Sequence, residues 1–587
     1  ILSIDTTTID GSISITDLIY YKRYPMAFQI MSFVTPYGAY LDLGIDGKTW
    51  YFDVTDYSPV LKGDKQITMS GGGQWQEDMD IKFLFIVGTP PRDVLEMQQV
   101  WRPQSKGYGT IMADDAFEPR DVLMHPNASA YKLRTTITGH GQEGEFIPQN
   151  HYLNIDGGAQ EYIWPVWTEC ADNPVYPQGG TWIYDRAGWC PGKASDLRED
   201  DITQLVNPGQ THNIDYGVSS ATGTSNYWVS SQLVSYSSPN HSLDAAVVDV
   251  LSPTNQILHV RTNPICSKPK IIIQNTGDTP LTSLRIEYWI NGATTHEVYQ
   301  WSGNLNFLEK EEVELPDPAS FWNAIDFSAG VSLGQVTTYE NTPNLNKFYV
   351  EVSSPNGSSD GYSFNNNIHS TFTPAPKYPN IFTFWSSTNS GAIGGLSETS
   401  WEISDNQGTP VYTGNNLSPN STYKDTLIFS DGCYALHVAD TDDDGLDFWA
   451  NNDGGGMLRF RRIEPFVDST AIPWVYLSWF KSFELDFGAY IHHEFTTSTL
   501  PLTINEESKS FFNVYPNPTT TMLMAEGLLI NNGHLELQDK LGRVIYTENI
   551  MSGLFKITLN LNNYANGIYF LKVTSKDIDY VKKVVKQ

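Results

Sequence analysis

The sequence predicts an all-β protein built from several sandwich domains in a row. Aromatic residues make up 13% of the 587 residues, and 46 glycines and 33 prolines separate short apolar runs, which is typical of strands joined by tight turns. No stretch keeps a helical period of apolar residues beyond a turn or two. A chain of this length exceeds what one hydrophobic core organises, so we expect several domains.

The charge balance argues against two classes of partner. The chain carries 67 Asp and Glu against 36 Lys and Arg, a formal net charge of -31. Nucleic acid and anionic membrane surfaces would be repelled by such a field. No apolar run reaches about 18 residues, so we predict no transmembrane segment. The chain begins directly in Thr-rich, strand-like sequence, as a processed secreted chain would.

The N-terminal part is predicted to form two antiparallel sandwiches, over residues 1–102 and 103–240. Residues 81–87 are apolar except for Lys82 and are followed by Gly-Thr-Pro, and we predict a strand that is buried on most of its length. A polar run at residues 235–242 marks the end of the second sandwich.

The middle of the chain is predicted to hold two further sandwiches. Residues 270–277 and 284–290 alternate apolar and polar side chains around an Asn-Thr-Gly-Asp-Thr-Pro turn, which favours an immunoglobulin-like module over 241–372. The proline-rich residues 373–379 predict a stiff linker, and residues 380–495 predict another β-sandwich.

An acidic loop lies inside that last module. Asp440, Asp442, Asp444 and Asp447 are spaced around Gly445, and oxygens at alternate positions beside a glycine turn are typical of a calcium loop. An EF-hand is excluded, because no Glu follows at the required distance and no helices flank the loop. Two interpretations stay open, a structural Ca²⁺ site or an acidic turn that binds nothing.

The window of residues 136–192 combines carboxylates, a guanidinium, indoles and two cysteines. A carboxylate can move protons, a fixed cation can polarise an oxygen, and flat apolar rings can contact sugars. This mixture suits chemistry on a neutral, sugar-like substrate. The alternative is a tryptophan-rich sandwich core without such a function.

Three blocks of the chain resemble the peptide-N-glycosidase F family, the bacterial amidases that cut the bond between asparagine and N-acetylglucosamine. They are residues 33–37 with 52–57 and 87–90, residues 133–141, and residues 185–192. The resemblance covers residues 1–240 and implies a tandem pair of jelly rolls, a glycoprotein substrate and no catalytic cofactor. It also implies a disulfide between Cys170 and Cys190, whereas we expect Cys266 and Cys433 to be free and buried.

The resemblance also implies the roles of seven residues. Glu145 and Arg186 are the catalytic candidates, and we expect the arginine to lower the pKa of the glutamate. Each has a structural alternative, a solvated loop for Glu145 and an ion pair for Arg186. The candidate substrate-binding residues are Trp189, Trp75, His140, His151 and Asp185.

The sequence departs from the family at three places. The family's catalytic Asp in a Trp-Asp-Arg stretch has no counterpart ahead of residue 35, and no acid stands near residues 71–73 for the second Glu. Glu143 and Ile147 replace a tight cysteine pair. The function therefore stays open between an amidase, a noncatalytic glycan-binding protein and an adhesive or structural surface protein, and we expect weak or absent turnover if the N-terminus is complete.

Residues 511–587 resemble the type A C-terminal sorting domain of the Bacteroidetes type IX secretion system. The matching motifs are residues 513–519, 541–546, 566–573 and the basic end at 581–585. The resemblance implies export across the outer membrane to the cell surface or the medium, with delivery to a PorV-like shuttle barrel. A small terminal immunoglobulin-like domain without an address function is the alternative.

Deleting residues 511–587 is therefore expected to strand the protein in the periplasm. Cell fractionation and surface proteolysis would locate the truncated chain. Its normal delivery to the cell surface would contradict the prediction.

Overall fold

The computed structural model confirms the all-β architecture. The residues it describes are 5–9, 12–16, 27–38, 41, 43, 47–72, 79–158, 160–221, 223–318, 321–324, 346–462, 479–498, 511–529, 531–551, 553–576 and 579–587. The chain divides into two compact units, Ile1–Thr499 and Leu500–Gln587. Its described α-helices are two five-residue segments, α1 (Tyr108–Met112) and α2 (Gln142–Phe146).

The described part of residues 1–91 holds little regular structure. It contains a hairpin of β1 (Asp5–Ile9) and β2 (Ser12–Thr16), a 3₁₀ turn at Thr55–Tyr57 and a bridge from Phe33 to Ala194. The first jelly roll over 1–102 stays a prediction.

The expected buried strand at 81–87 is wrong. The segment forms no strand, and Leu84, Phe85 and Ile86 are 79%, 83% and 94% exposed. A largely apolar segment is expected to be buried, but its composition does not say which other segment supplies the neighbouring strand.

The second sandwich carries most of the candidate site. Its strands are β3 (Arg92–Gly107), β4 (Arg120–Leu123), β5 (Ala130–His140), β6 (Gln149–Ile155), β7 (Gln160–Val166), β8 (Leu197–Asp201), β9 (Thr211–Val218) and β10 (Asn226–Pro239). One sheet has the order β3-β10-β5-β8 and the other β4-β9-β6-β7. Apolar side chains from both sheets form one core. Strand β3 crosses the domain boundary predicted at residue 102.

The third sandwich follows directly. Its strands are β11 (Ala245–Ser252), β12 (Lys270–Asn275), β13 (Leu281–Ile290), β14 (Glu297–Leu305), β15 (Lys310–Glu314), β16 (Asn346–Ser353) and β17 (Asn367–Phe372). The sheets have the orders β11-β12-β15 and β14-β13-β16-β17. Side chains alternate between buried and partly exposed along β13, as its sequence predicts. The turn between β12 and β13 connects two sheets, so these strands are not a hairpin.

The fourth sandwich has an aromatic core. Its strands are β18 (Lys377–Pro379), β19 (Ile381–Ser387), β20 (Ala392–Ile393), β21 (Leu396–Ser397), β22 (Thr399–Asp405), β23 (Pro410–Gly414), β24 (Thr422–Ile428), β25 (Gly432–Asp440), β26 (Met457–Arg462), β27 (Trp479–Ser482) and β28 (Tyr490–Ser498). The main sheets have the orders β18-β28-β25-β22-β23 and β24-β19-β26-β27. The end of the predicted linker, β18, pairs in parallel with β28.

The C-terminal unit is a small sandwich with its own core. Its strands are β29 (Phe511–Tyr515), β30 (Met522–Leu529), β31 (Gly533–Asp539), β32 (Val544–Ile550), β33 (Gly553–Asn560), β34 (Gly567–Ser575) and β35 (Asp579–Lys586). The sheets have the orders β29-β30-β33 and β32-β31-β34-β35.

One buried arginine links the second and fourth sandwiches. Arg261 is 5% exposed and lies in a 3₁₀ turn at Ile257–Thr262. Its guanidinium donates to the carbonyls of Asn173 at 2.7 Å and Ala171 at 3.0 Å. It also donates to the carbonyls of Tyr490 at 2.6 Å and Phe487 at 3.0 Å. Because the charge is buried, each of these hydrogen bonds offsets part of its desolvation.

The structure confirms the disulfide between Cys170 and Cys190. It also joins Cys266 to Cys433, so the expectation that these two are free is wrong. That expectation rested on their places in different predicted domains. The third and fourth sandwiches pack together at this point, where the Glu494 carboxylate accepts hydrogen bonds from the backbone N–H of Cys266 at 2.7 Å and Ser267 at 2.9 Å.

Replacing Cys266 and Cys433 with serine together is expected to lower the free energy of unfolding by about 2–4 kcal/mol, because the bond closes a long loop in the unfolded chain. Peptide mapping without reduction should find both linked pairs in the wild type. Thermal melts of the two proteins provide the comparison, and equal melting temperatures would contradict the stabilising role.

Candidate functional site

The candidate site is centred on an ion pair between Glu145 and Arg186. Glu145 lies on α2, which follows β5, and Arg186 lies on the long loop between β7 and β8. The Arg186 Nε donates to Glu145 Oε1 at 3.0 Å. The side chain of Arg186 is 1% exposed, whereas that of Glu145 is 20% exposed. Glu145 is therefore the member of the pair that solvent or a ligand can reach.

The rest of the guanidinium is held by its own loop. Nη1 donates to the carbonyl of Tyr184, and Nη2 donates to the carbonyl and hydroxyl oxygens of Thr181 at 2.8 and 3.0 Å. The rings of Trp189, Phe146 and Tyr37 lie 5.0, 5.2 and 5.9 Å from its central carbon. With these partners and so little exposure, Arg186 is placed to orient Glu145, and a direct substrate contact would require it to move.

The pKa of Glu145 is raised from its ordinary value. Burial of the carboxyl group is the largest cause, and the hydrogen bond and charge of Arg186 offset it only in part. Arg186 lowers this pKa as expected, but burial outweighs the arginine, so the net shift is upward. A half-buried carboxyl with a raised pKa can donate a proton or a hydrogen bond closer to neutral pH.

The backbone of Gly139 on β5 hydrogen-bonds the loop that carries Arg186. Its N–H donates to the carbonyl of Ala187 at 2.8 Å, and its carbonyl accepts the indole N–H of Trp189 at 3.0 Å. The backbone N–H of Ala187 donates to the carbonyl of Glu145 at 2.9 Å. A Cβ on Gly139 would lie 2.0 Å from the carbonyl oxygen of Gly144. Only glycine allows α2 to approach β5 this closely.

The disulfide fixes the loop that carries Arg186. Cys170 and Cys190 are fully buried, and the backbone N–H of Cys170 donates to Asp185 Oδ1 at 3.0 Å. This contact gives Asp185 a role within the loop. Trp189 is 7% exposed, so its ring packs against the arginine and offers little surface to a sugar.

The two other described candidates for substrate binding, His140 and His151, differ in exposure and in surroundings. His140 is exposed, and its ring stacks on that of Trp189 with a centroid distance of 6.0 Å. His151 is fully buried on β6 and hydrogen-bonds the Tyr216 hydroxyl at 2.7 Å. Burial lowers the pKa of His151 to about 3, so its ring is a neutral core group. Trp75 lies outside the described residues.

Tyr37 is a site residue that sequence reasoning missed. Its backbone carbonyl accepts the N–H of Gly179, and its own N–H donates to Gln178 Oε1 at 2.8 Å. Burial raises the pKa of its hydroxyl, on which the charges of Arg186 and Glu145 act in opposite directions. The sequence feature that could have identified Tyr37 is its place in residues 33–37, one of the blocks that resemble the peptide-N-glycosidase F family.

Among the described residues, no second carboxylate contacts Glu145. Arg186 is the charged group that acts on its pKa, which agrees with the absence of the Trp-Asp-Arg stretch from the sequence. The described residues thus supply one acid–base group rather than a pair.

The structure brings together two of the four acidic residues that were predicted as cation ligands. Asp440 and Asp444 come together with Glu398, and all three are buried. Asp442 and Asp447 are exposed and lie outside this group. Glu398, which precedes β22, was missed because it is distant in sequence from the loop.

Comparison with known proteins agrees with the two sequence resemblances. Residues 107–234 match the family model "Peptide-N-glycosidase F, C terminal". The peptide-N(4)-(N-acetyl-beta-D-glucosaminyl)asparagine amidase F of Elizabethkingia miricola is 26% identical over 249 residues, which are 38% of this chain and 67% of that protein. The resemblance to the peptide-N-glycosidase F family is confirmed.

Two solved structures are similar to part of the chain. PNGase F, a glycosylasparaginase from Flavobacterium meningosepticum, is 25% identical with a TM-score of 0.23, over 26% of this chain and 55% of that one. PNGF-II is 20% identical with a TM-score of 0.17, over 21% and 25% of the two chains. The chain thus spans about half the length of the PNGase F structure.

Residues 513–587 match the family model "Secretion system C-terminal sorting domain". This match confirms the sorting domain and indicates export by the type IX secretion system to the cell surface or outside. In the described part of the chain, neither helix is long and apolar enough to cross a membrane.

Replacing Gly139 with alanine is expected to destabilise the second sandwich by about 1–3 kcal/mol, because the new methyl group would overlap Gly144 and Ala187. The matched control is Gly109→Ala on α1, where a Cβ meets nothing within 4 Å. Calorimetric melts would measure both variants, and equal stability of the two would contradict the close approach.

Proposed function

We propose that this chain acts outside the cell on N-glycosylated proteins and recognises the glycan–asparagine linkage at the Glu145 site. The supporting observation is a partly exposed carboxyl with a raised pKa, held by a buried guanidinium. It lies within the segment that matches the peptide-N-glycosidase F model. A protonated Glu145 would donate to the amide or acetamido oxygen of the ligand, and Arg186 would keep its carboxyl group oriented.

We further propose that the residues of this sequence alone support weak or no amide hydrolysis. Hydrolysis requires an activated water and a proton for a poor leaving nitrogen, and one carboxyl group rarely serves both steps. Loss of one acid–base partner costs typically about 10²–10⁴-fold in rate. Binding makes no such demand, since hydrogen bonds and aromatic contacts suffice. The proposal is therefore a glycoprotein-binding protein that has kept the site of an amidase.

The remaining partners follow from the sorting domain. We propose delivery by a PorV-like shuttle barrel in a member of the Bacteroidetes, with residues 511–587 as the recognised part. The Glu145 site needs no cofactor in this proposal. The acidic loop serves structure and takes no part in the reaction.

The pH dependence of binding tests the role of Glu145. Since its pKa is raised, the protonated form is present below that pKa and is lost as pH rises through it. The affinity of the wild type for an N-glycopeptide is therefore expected to fall as the pH rises through the pKa of Glu145. Glu145→Gln should keep its affinity across the same pH range, because the amide resembles the protonated acid. Glu145→Ala should lose about tenfold.

Fluorescence titration with a labelled glycopeptide would measure these affinities, and a denatured N-glycoprotein would report deglycosylation. Glu143→Gln is the matched control, because Glu143 lies on the same helix and accepts a hydrogen bond from the Thr224 hydroxyl at 2.6 Å. Absence of binding at every pH would contradict recognition. Robust turnover that Glu145→Gln abolishes would contradict the weak-amidase proposal.

A further inference from the structure

Three buried carboxyl groups meet in the fourth sandwich, far in sequence from Glu145. Glu398 precedes β22, Asp440 ends β25, and Asp444 lies in the loop that follows. They are 5%, 5% and 2% exposed. One oxygen from each lies within 4.8 Å of the others. Strands β22 and β25 are neighbours, with Thr399 opposite Asp440, so the sheet itself brings these acids together.

No cationic side chain of the described residues compensates for this charge. The pKa of Asp440 is raised to about 8 by burial first, and then by the charges of Asp444 and Glu398. Burial also raises the pKa values of Glu398 and Asp444. The other charged groups that act on these two are Asp442 and Asp453, which are carboxylates as well. Such a cluster is unfavourable unless protons or a cation neutralise it.

Two oxygens of the cluster are buried and receive no hydrogen bond from any of the described residues. They are Glu398 Oε1 and Asp444 Oδ1. Other oxygens of the group are satisfied, since Asp440 Oδ2 accepts the Thr399 hydroxyl at 3.0 Å and Asp444 Oδ2 accepts the Asn451 amide. Buried acceptors without donors are rare in folded proteins, and a bound cation is a partner that would satisfy both.

We propose that Glu398, Asp440 and Asp444 bind one calcium ion. Calcium prefers carboxylate oxygens and accepts irregular geometry, with water or backbone carbonyls completing the ligand set. The loop can turn around an ion, because Asp443 and Gly445 have left-handed φ values of 62° and 75°. The ligand set differs from the sequence prediction by gaining Glu398 and losing Asp442 and Asp447.

The ion would also support the loop that carries Arg186. Beyond Asp444, the ring of Phe448 packs edge-on against that of Tyr184 at 5.7 Å. The indole N–H of Trp449 donates to the carbonyl of Gly180 at 2.7 Å. Tyr184 and its neighbour Thr181 supply the carbonyls that hold the Arg186 guanidinium. Calcium bound beside Asp444 thus orders the segment on which this loop rests.

Calorimetric titration of the metal-free full chain with Ca²⁺ tests the site. We expect one ion per chain, with a Kd of about 10⁻⁴–10⁻³ M as in other extracellular modules, and a higher melting temperature when the ion is bound. Asp444→Asn should weaken binding at least tenfold. The matched control is Asp442→Asn, which removes an exposed carboxylate from the same loop and should weaken binding far less than Asp444→Asn.

The two variants remain informative even if one changes folding. Because Asn removes a buried charge, Asp444→Asn should melt at or above the temperature of the metal-free wild type and gain nothing from Ca²⁺. No binding by the wild type, or equal loss in Asp442→Asn, would overturn the site. Neither result depends on glycopeptide binding.

Hydrogen exchange tests the link to Arg186. Ca²⁺ should slow amide exchange in residues 440–451 and also in residues 180–186 of the wild type. Neither segment should respond in Asp444→Asn. Slower exchange confined to residues 440–451 would overturn the proposed support of the Arg186 loop.

Discussion

The arrangement of the candidate site in the second sandwich depends on the buried charge of Arg186. A guanidinium that is 1% exposed must find acceptors for its N–H groups within the protein, and breaking a buried pair typically costs about 3–5 kcal/mol. Glu145, Thr181 and Tyr184 supply those acceptors. Their positions in turn require the disulfide at Cys170 and a glycine at 139. The single guanidinium of Arg186 thereby constrains which residues can stand at several positions around it.

Local patterns predicted the fold well where neighbouring strands are also close in sequence. The alternation in β13 and the turn residues around the strands of the last unit agree with the sheets observed. The failures involve contacts between distant segments. Residues 81–87 have the composition of a buried strand without a sheet neighbour among the described residues, and Cys266 meets Cys433 across 167 positions. Composition does not encode such pairings.

The candidate site shows the same division. Glu145, Arg186 and the Cys170–Cys190 bond belong to one short window, and its motifs indicated them. Tyr37 lies about one hundred positions before Glu145, so no spacing rule could add it to this site. In the same way, Glu398 lies about forty positions before the acidic loop that it joins in the fourth sandwich. The sign of the Glu145 pKa shift was also beyond the sequence, because it depends on how much burial outweighs the arginine. Charge type can be read from a sequence, whereas its degree of burial cannot.

The four carbonyls that Arg261 holds have a consequence for how this protein can be divided. Two belong to the loop that the Cys170–Cys190 disulfide closes, and two belong to the fourth sandwich. A fragment cut after residue 240 would expose Trp182, which is fully buried and donates to Asp486. The second sandwich therefore has part of its interior covered by the modules that follow it. A chain without those modules would lose the guanidinium that donates to the carbonyls of Ala171 and Asn173, and solvent would reach this part of its interior.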